Sequence, residues 1–197
     1  RAALRRWGSA HPVSMRAASV YQRVLTEQAL TFDAVRVCEE RLAADELSGD
    51  TQREMTSRCR LAVALHRDGQ CDLAGAQVRA VLRRWYASPH SYGHAEMVLL
   101  AAAGVHAGCG RTGEAVQVLI RDGAYLAHLD AACRQLAAGW LATVVRTHPG
   151  WCGAPRDPDR RHTTLGSERE GWLAVLDRCA SMPPAGGSAR VRRRGSA

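Results

Sequence analysis

Leu61-Ala62-Val63-Ala64-Leu65-His66-Arg67-Asp68-Gly69-Gln70-Cys71-Asp72-Leu73-Ala74 reads as the end of one helix, a tight turn and the start of another. Gly69 stops the first helix. Ala74 puts a small side chain at the first inward turn of the second. The same marks recur along the chain: Leu25, Ala34 and Leu42 return 40 residues later as Leu65, Ala74 and Leu82. Gly69 and Ala74 return 41 residues later as Gly110 and Ala115. Each unit is therefore helix, turn, helix. Ala34, Ala74 and Ala115 let the paired helices approach closely, where a large side chain would push them apart.

Outward from this core, helix signals fill the chain to about residue 147, and nothing alternates as a strand would. Ser14 is placed to cap a helix reaching Ala29, and Thr31 a second that carries Phe32, Val35 and Leu42. Thr51 and Glu54 stand at capping-box spacing and start a third, which runs to Asp68. A fourth covers 72–86, a fifth 92–107 and a sixth 114–121. Residues 124–147 read as one helix or two, because Gly139 weakens the middle. The expected organisation is an extension over 1–14, an all-α repeat domain over 15–147, and a Pro/Gly/Arg-rich tail over 148–197. The tail is expected to be mostly disordered. It holds one short helix near 168–180, introduced by Ser167 and Glu170 and carrying Trp172, Leu173, Val175 and Leu176.

Composition narrows the class. The chain has 197 residues, 46% of them apolar, which suits one folded domain plus a tail. Its longest apolar run, 97–105, is far short of the roughly 20 residues that span a bilayer. The formal charge of +8 comes from 27 basic side chains, all arginine. Lysine and asparagine are absent, and there is one Phe and one Ile, a bias that points to a G/C-rich genome such as an actinobacterial one. Arginine is thus partly a codon habit, which weakens any inference from charge to nucleic acid. The seven cysteines, an odd number, fall mostly in apolar helical patterns and read as reduced thiols in the cytoplasm. Residues 1–20 lack the apolar segment of a secretory signal, and the chain starts on Arg1, as a fragment or processed form would.

The quoted stretch resembles the Leu-Ala…Leu…Gly-x-x-x-x-Ala core of tetratricopeptide repeats, of the kind found in kinesin light chains and many bacterial regulators. Gly110-Arg111-Thr112-Gly113-Glu114-Ala115 repeats the turn with that family's usual Glu-Ala. The resemblance covers about 15–147, two to three units. It departs from the family in period, 40–41 residues against the roughly 34 of the plain repeat. Ala29 stands where the first turn glycine belongs, His106 stands at a core leucine position, and Arg60 takes the place of the groove asparagine. The resemblance implies antiparallel helix-turn-helix repeats stacked as a short right-handed α-solenoid. It also implies that the first helix of each unit lines a concave binding surface.

Chemistry is sparse. No glycine loop follows a strand, no Gly-x-Ser-x-Gly elbow occurs, and no acid pair is embedded in an apolar face. His90 with His94 and His148 with Cys152 are four residues apart, but no two cysteines have the Cys-x2–4-Cys spacing of a structural zinc site. Surface histidines are the plainer reading, and no cofactor or metal is expected. Trp85 and Trp140 read as packing between helices rather than as base-stacking platforms. On the third helix Arg53, Arg60 and Arg67 recur every seven residues, within about 40° of one another, with Ser57 and Ala64 between them. The strip is open to two readings, a solvated face or the lining of a partner groove.

The expected function is a non-catalytic scaffold that binds a protein or peptide, acidic or ending in a carboxylate, in a bacterial regulatory system. The alternative is a fragment of a nucleic-acid-associated transcriptional regulator whose repeats serve a missing domain. Nucleic acid itself is expected to bind only weakly, through Arg190, Arg192, Arg193 and Arg194 of the tail.

Overall fold

The structure, a computed structural model, describes residues 30–88, 94–146 and 165–182, with a few helical positions between 17 and 25. Among the described residues the chain is all-α and has no strand. The helices are α1 (Thr31–Ser48), α2 (Thr51–Arg67), α3 (Cys71–Ala87), α4 (Ala95–Gly108) and α5 (Thr112–Arg121). A 3-10 turn over Gly123–Tyr125 leads to α6 (Ala131–Arg146), and α7 (Leu165–Ala180) follows.

The repeat is visible in the backbone hydrogen bonds. Gly69 and Gly110 sit at φ 84° and 77°, the left-handed region that favours glycine. After α2, Gly69 N–H donates to His66 O at 3.1 Å and Gln70 N–H to Leu65 O at 2.9 Å. After α4, Gly110 N–H donates to Ala107 O at 3.0 Å and Arg111 N–H to His106 O at 2.9 Å. Both turns are Schellman caps, in register with the 41-residue period. The first turn keeps the longer bond, from Leu30 N–H to Leu25 O at 2.8 Å. Ala34, Ala74 and Ala115 follow these turns and are buried to 2%, 0% and 0% exposure, as close helix pairing requires.

The packing is that of a short α-solenoid. α4 lies between α2 and α6, and these three form one layer. α1 packs on α2, α3 on α2 and α4, α5 on α4, and α7 on α6 and α5, giving the second layer. α4 is buried along most of its length, and its small residues set the spacing of its neighbours. A Cβ on Gly104 would come 3.2 Å from Trp140 and Val144 of α6. The sequence placed Trp85 and Trp140 between helices. Trp85 is fully buried and meets Tyr125 edge-on at 5.0 Å, and Trp140 packs half-buried against the core. Each fully buried Leu or Val contributes about 1.5–3 kcal/mol relative to exposure.

Several local expectations are corrected. Leu30, not Thr31, precedes α1, and the Thr31 hydroxyl instead donates to Asp68 Oδ1, tying the start of α1 to the turn after α2. Asp50 caps α2 by accepting from Arg53 N–H at 3.0 Å, while Glu54 pairs with Arg58 and Arg84. An acid one position earlier thus displaces the Thr51–Glu54 box. The stretch after Gly123 breaks before Ala131 rather than at Gly139, and Ser167 and Glu170 both lie inside α7. Ser14 and Tyr92 lie outside the described residues.

The helix assigned to the tail is part of the core. Trp172, Leu176 and Cys179 are buried with Leu119, Leu126, Ala138 and Leu141. Cys179 Sγ donates to Leu119 O at 3.2 Å, and Arg134 Nε meets Asp177 at 2.7 Å. The core therefore does not stop at residue 147. α7 stands to α6 as α3 stands to α2.

Candidate functional site

The seam between α1 and α2 carries the arginine strip. At its centre is Asp45 of α1, 2% exposed. Arg41, one turn earlier, grips it with both nitrogens, Nε to Oδ2 at 2.8 Å and the terminal nitrogen to Oδ1 at 2.7 Å. Ser57 Oγ of α2 donates to the same carboxylate at 2.6 Å. A buried carboxylate needs such donors, because an unpaired one would cost several kcal/mol.

This arrangement divides the five strip residues. Ser57 and Ala64, expected as an open floor, are each only 3% exposed. Ser57 is spent on Asp45, and Ala64 packs with Val35 and Cys38 of α1. The reason is that α1 crosses the strip and covers its small residues. Arg67 is half-buried, its Nε lacks a hydrogen-bond partner, and burial pulls its guanidinium below the ordinary value. Arg53 and Arg60 line an open cleft of about 650 Å³ together with Ser57, Asp45, Asp50, Gln52, Thr56, His94 and the largely covered Arg41. Arg53 Nε pairs with Asp50 at 2.9 Å, both side chains about 40% exposed. A ligand can compete with such a pair, since exposed ion pairs are worth only about 0–1 kcal/mol.

A separate ionic knot lies on the other side of α2. Arg58 meets Glu54 at 2.8 Å, Glu46 at 2.6 Å and Gln77 at 3.0 Å, and Arg84 also reaches Glu54. Burial pushes the Glu54 carboxyl up, but bonds from Arg84 and Arg58 outweigh it and hold the group below its ordinary value. The knot joins α1, α2 and α3 and leaves the cleft alone.

Four of the described cysteines fall into two kinds. Cys38 and Cys59 are core side chains whose thiols burial pushes up to about 12, which leaves them unreactive. Cys71 and Cys109 instead face His66, which lies wholly inside the fold. His66 Nδ1 is 3.5 Å from Cys109 Sγ and 3.9 Å from Cys71 Sγ, and the three ligand atoms lie within 4.8 Å of one another. Spacing rules missed this trio because its members belong to the end of α2, the start of α3 and the turn after α4. The 41-residue offset was the available signal, since His66 and Cys71 flank one turn glycine and Cys109 adjoins the next. Of the pairs singled out by spacing, His94 is exposed and lies 3.4 Å from Glu96, while His90, His148 and Cys152 lie outside the described residues.

No family model, curated protein or solved structure matches the chain. Among the described residues no helix is long and apolar enough to cross a membrane.

Proposed function

We propose that the chain is a non-catalytic, tetratricopeptide-like scaffold that binds an extended protein segment, acidic or ending in a carboxylate, in a cytoplasmic bacterial regulatory system. The observation that carries this reading is the α1–α2 cleft, where Arg53 and Arg60 stand beside about 650 Å³ of open space. Guanidinium groups take carboxylates in a planar, two-bonded geometry that orients the ligand. The matched turns after α2 and α4 support the repeat resemblance, because stacked units present long surfaces to extended partners. The burial of Cys38, Cys59 and Cys179 as core side chains supports a reducing compartment.

The test is binding of fluorescent acidic peptides, with free and with amidated C-termini, measured by anisotropy. Arg60→Glu should weaken binding at least tenfold, whereas Arg36→Glu should not, since Arg36 pairs with Asp33 on α1 and does not line the cleft. Equal loss from both variants, or no peptide bound at all, would sink the reading. Salt-resistant retention of DNA by a chain lacking 183–197 would favour the nucleic-acid-associated regulator instead.

A further inference from the structure

We propose that His66 Nδ1, Cys71 Sγ and Cys109 Sγ are the ligands of one zinc-class divalent cation, held where the turns of two successive repeats meet.

The distances fit. A zinc ion takes an imidazole nitrogen at about 2.0–2.1 Å and a thiolate at about 2.3 Å, so at tetrahedral to trigonal angles nitrogen and sulfur lie about 3.5–3.8 Å apart. The structure holds them at 3.5 and 3.9 Å. The ring is also set for ligation by its other nitrogen. His66 Nε2 lies 3.3 Å from Val144 O, and a carbonyl can only accept, so Nε2 carries the hydrogen and Nδ1 turns its lone pair toward the sulfurs. A backbone carbonyl behind a ligating histidine is the usual way a protein fixes tautomer and ring orientation.

The surroundings are shaped around the ring. A Cβ on Gly108 would come 2.2 Å from His66 Nε2 and 2.3 Å from Cε1. Only glycine at this point of α4 leaves room for the imidazole. Charge fits as well. Two thiolates and a neutral imidazole cancel a divalent cation, so the complex is neutral where His66 is fully buried and Cys109 is 8% exposed. A monovalent ion would leave a net negative site, which burial disfavours. The soft sulfur pair selects zinc-like cations over magnesium or calcium.

Binding is a proton exchange without redox. Each thiol loses its S–H proton to solvent as a sulfur–metal bond forms, and Nδ1 gives its lone pair. Three protein ligands leave a fourth position for water or a small solvent ligand. The ion would clamp the Gly69 turn to the Gly110 turn, with α6 held behind through Val144. It would thus brace the stacking of three units.

The experiment uses the full chain, reduced, under argon and stripped with a chelator, then titrated with Co(II). One equivalent should give thiolate-to-cobalt charge-transfer bands and intense tetrahedral ligand-field bands, both erased by one equivalent of Zn(II). Cys71→Ser and Cys109→Ser should each abolish the spectrum, while Cys133→Ser, on an exposed cysteine, should leave it intact. Zinc at a hundredfold excess over its Kd should raise the melting midpoint by roughly 5–10 °C. X-ray absorption on the unmutated zinc-loaded chain needs no variant to fold, and should find two sulfurs at about 2.3 Å with imidazole nitrogen. No cobalt–thiolate band in the reduced chain, a spectrum that survives both serine variants, or a first shell without sulfur would each overturn the proposal.

Discussion

Gly108→Ala and Gly113→Ala are the same chemical change at two helical glycines five residues apart, and the structure gives them opposite signs. Alanine improves helix propensity by up to about 1 kcal/mol over glycine, largely by restricting the unfolded chain. At Gly113, in the first turn of α5, nothing lies within 4 Å of the added methyl, so a gain of about 0.5 kcal/mol should be realised. At Gly108 the methyl would meet the imidazole of His66 at 2.2 Å. That ring cannot swing into solvent, because it is fully buried. Overpacking costs about 1–3 kcal/mol. Displacing the ring also breaks the bond to Val144 O, which adds about 1–3 kcal/mol when a buried polar group is left unsatisfied. Against the propensity gain, the net loss is about 1–5 kcal/mol. For a chain of this length each kcal/mol moves the midpoint by about 2–4 °C, so Gly108→Ala should melt lower by roughly 2–20 °C. Urea and thermal unfolding followed by circular dichroism, with chelator present so that no metal contributes, measures both. A Gly108→Ala chain as stable as Gly113→Ala would refute the placement of His66 against α4.

Two further outcomes follow from the packing. Burial and then the Arg111 charge hold His106 below its ordinary 6.5 against the pull of Glu114, so the unfolded chain takes the proton first. Stability should be full above that value and fall as pH drops through the lowered one, and His106→Leu should flatten this slope in urea titrations between pH 7 and about pH 5; an unchanged slope would assign it to other groups. Trp172→Ala should cost about 3–5 kcal/mol and lower the urea midpoint with the whole helical signal, because α7 shares the core of α5 and α6. If the variant melts like the parent, α7 is a dispensable appendage after all.

What the sequence made legible was what repeats locally. A glycine that must take positive φ and an alanine that must fit between helices are constraints carried by single residues, so Gly69, Ala74, Gly110 and Ala115 announce the two turns without help. The fourth unit escaped for the opposite reason. Its two helices are separated by residues 147–164 of the sequence, and no glycine–alanine pair at the 40–41 spacing marks it. The stripe of Trp172, Leu176 and Cys179 was visible as an amphipathic helix, but nothing in its own residues said what it packs against.

The two candidate sites show the same division. A helical wheel correctly aligns Arg53, Ser57, Arg60, Ala64 and Arg67, yet it is blind to the neighbour that crosses them. Ser57 lines the cleft and also donates to Asp45, and both depend on where α1 lies, which is set by a turn and an interface and not by the strip. The trio of His66, Cys71 and Cys109 is less visible still, because motif spacing detects ligands that share a segment. In a solenoid the turns of successive units stack, so residues 38 or 43 positions apart become neighbours as a matter of course. A search made at the repeat period, rather than at the spacing of a single helix or knuckle, is therefore the one suited to finding soft-ligand clusters in such chains. His66 beside Gly69 and Cys109 beside Gly110 are what such a search would meet first.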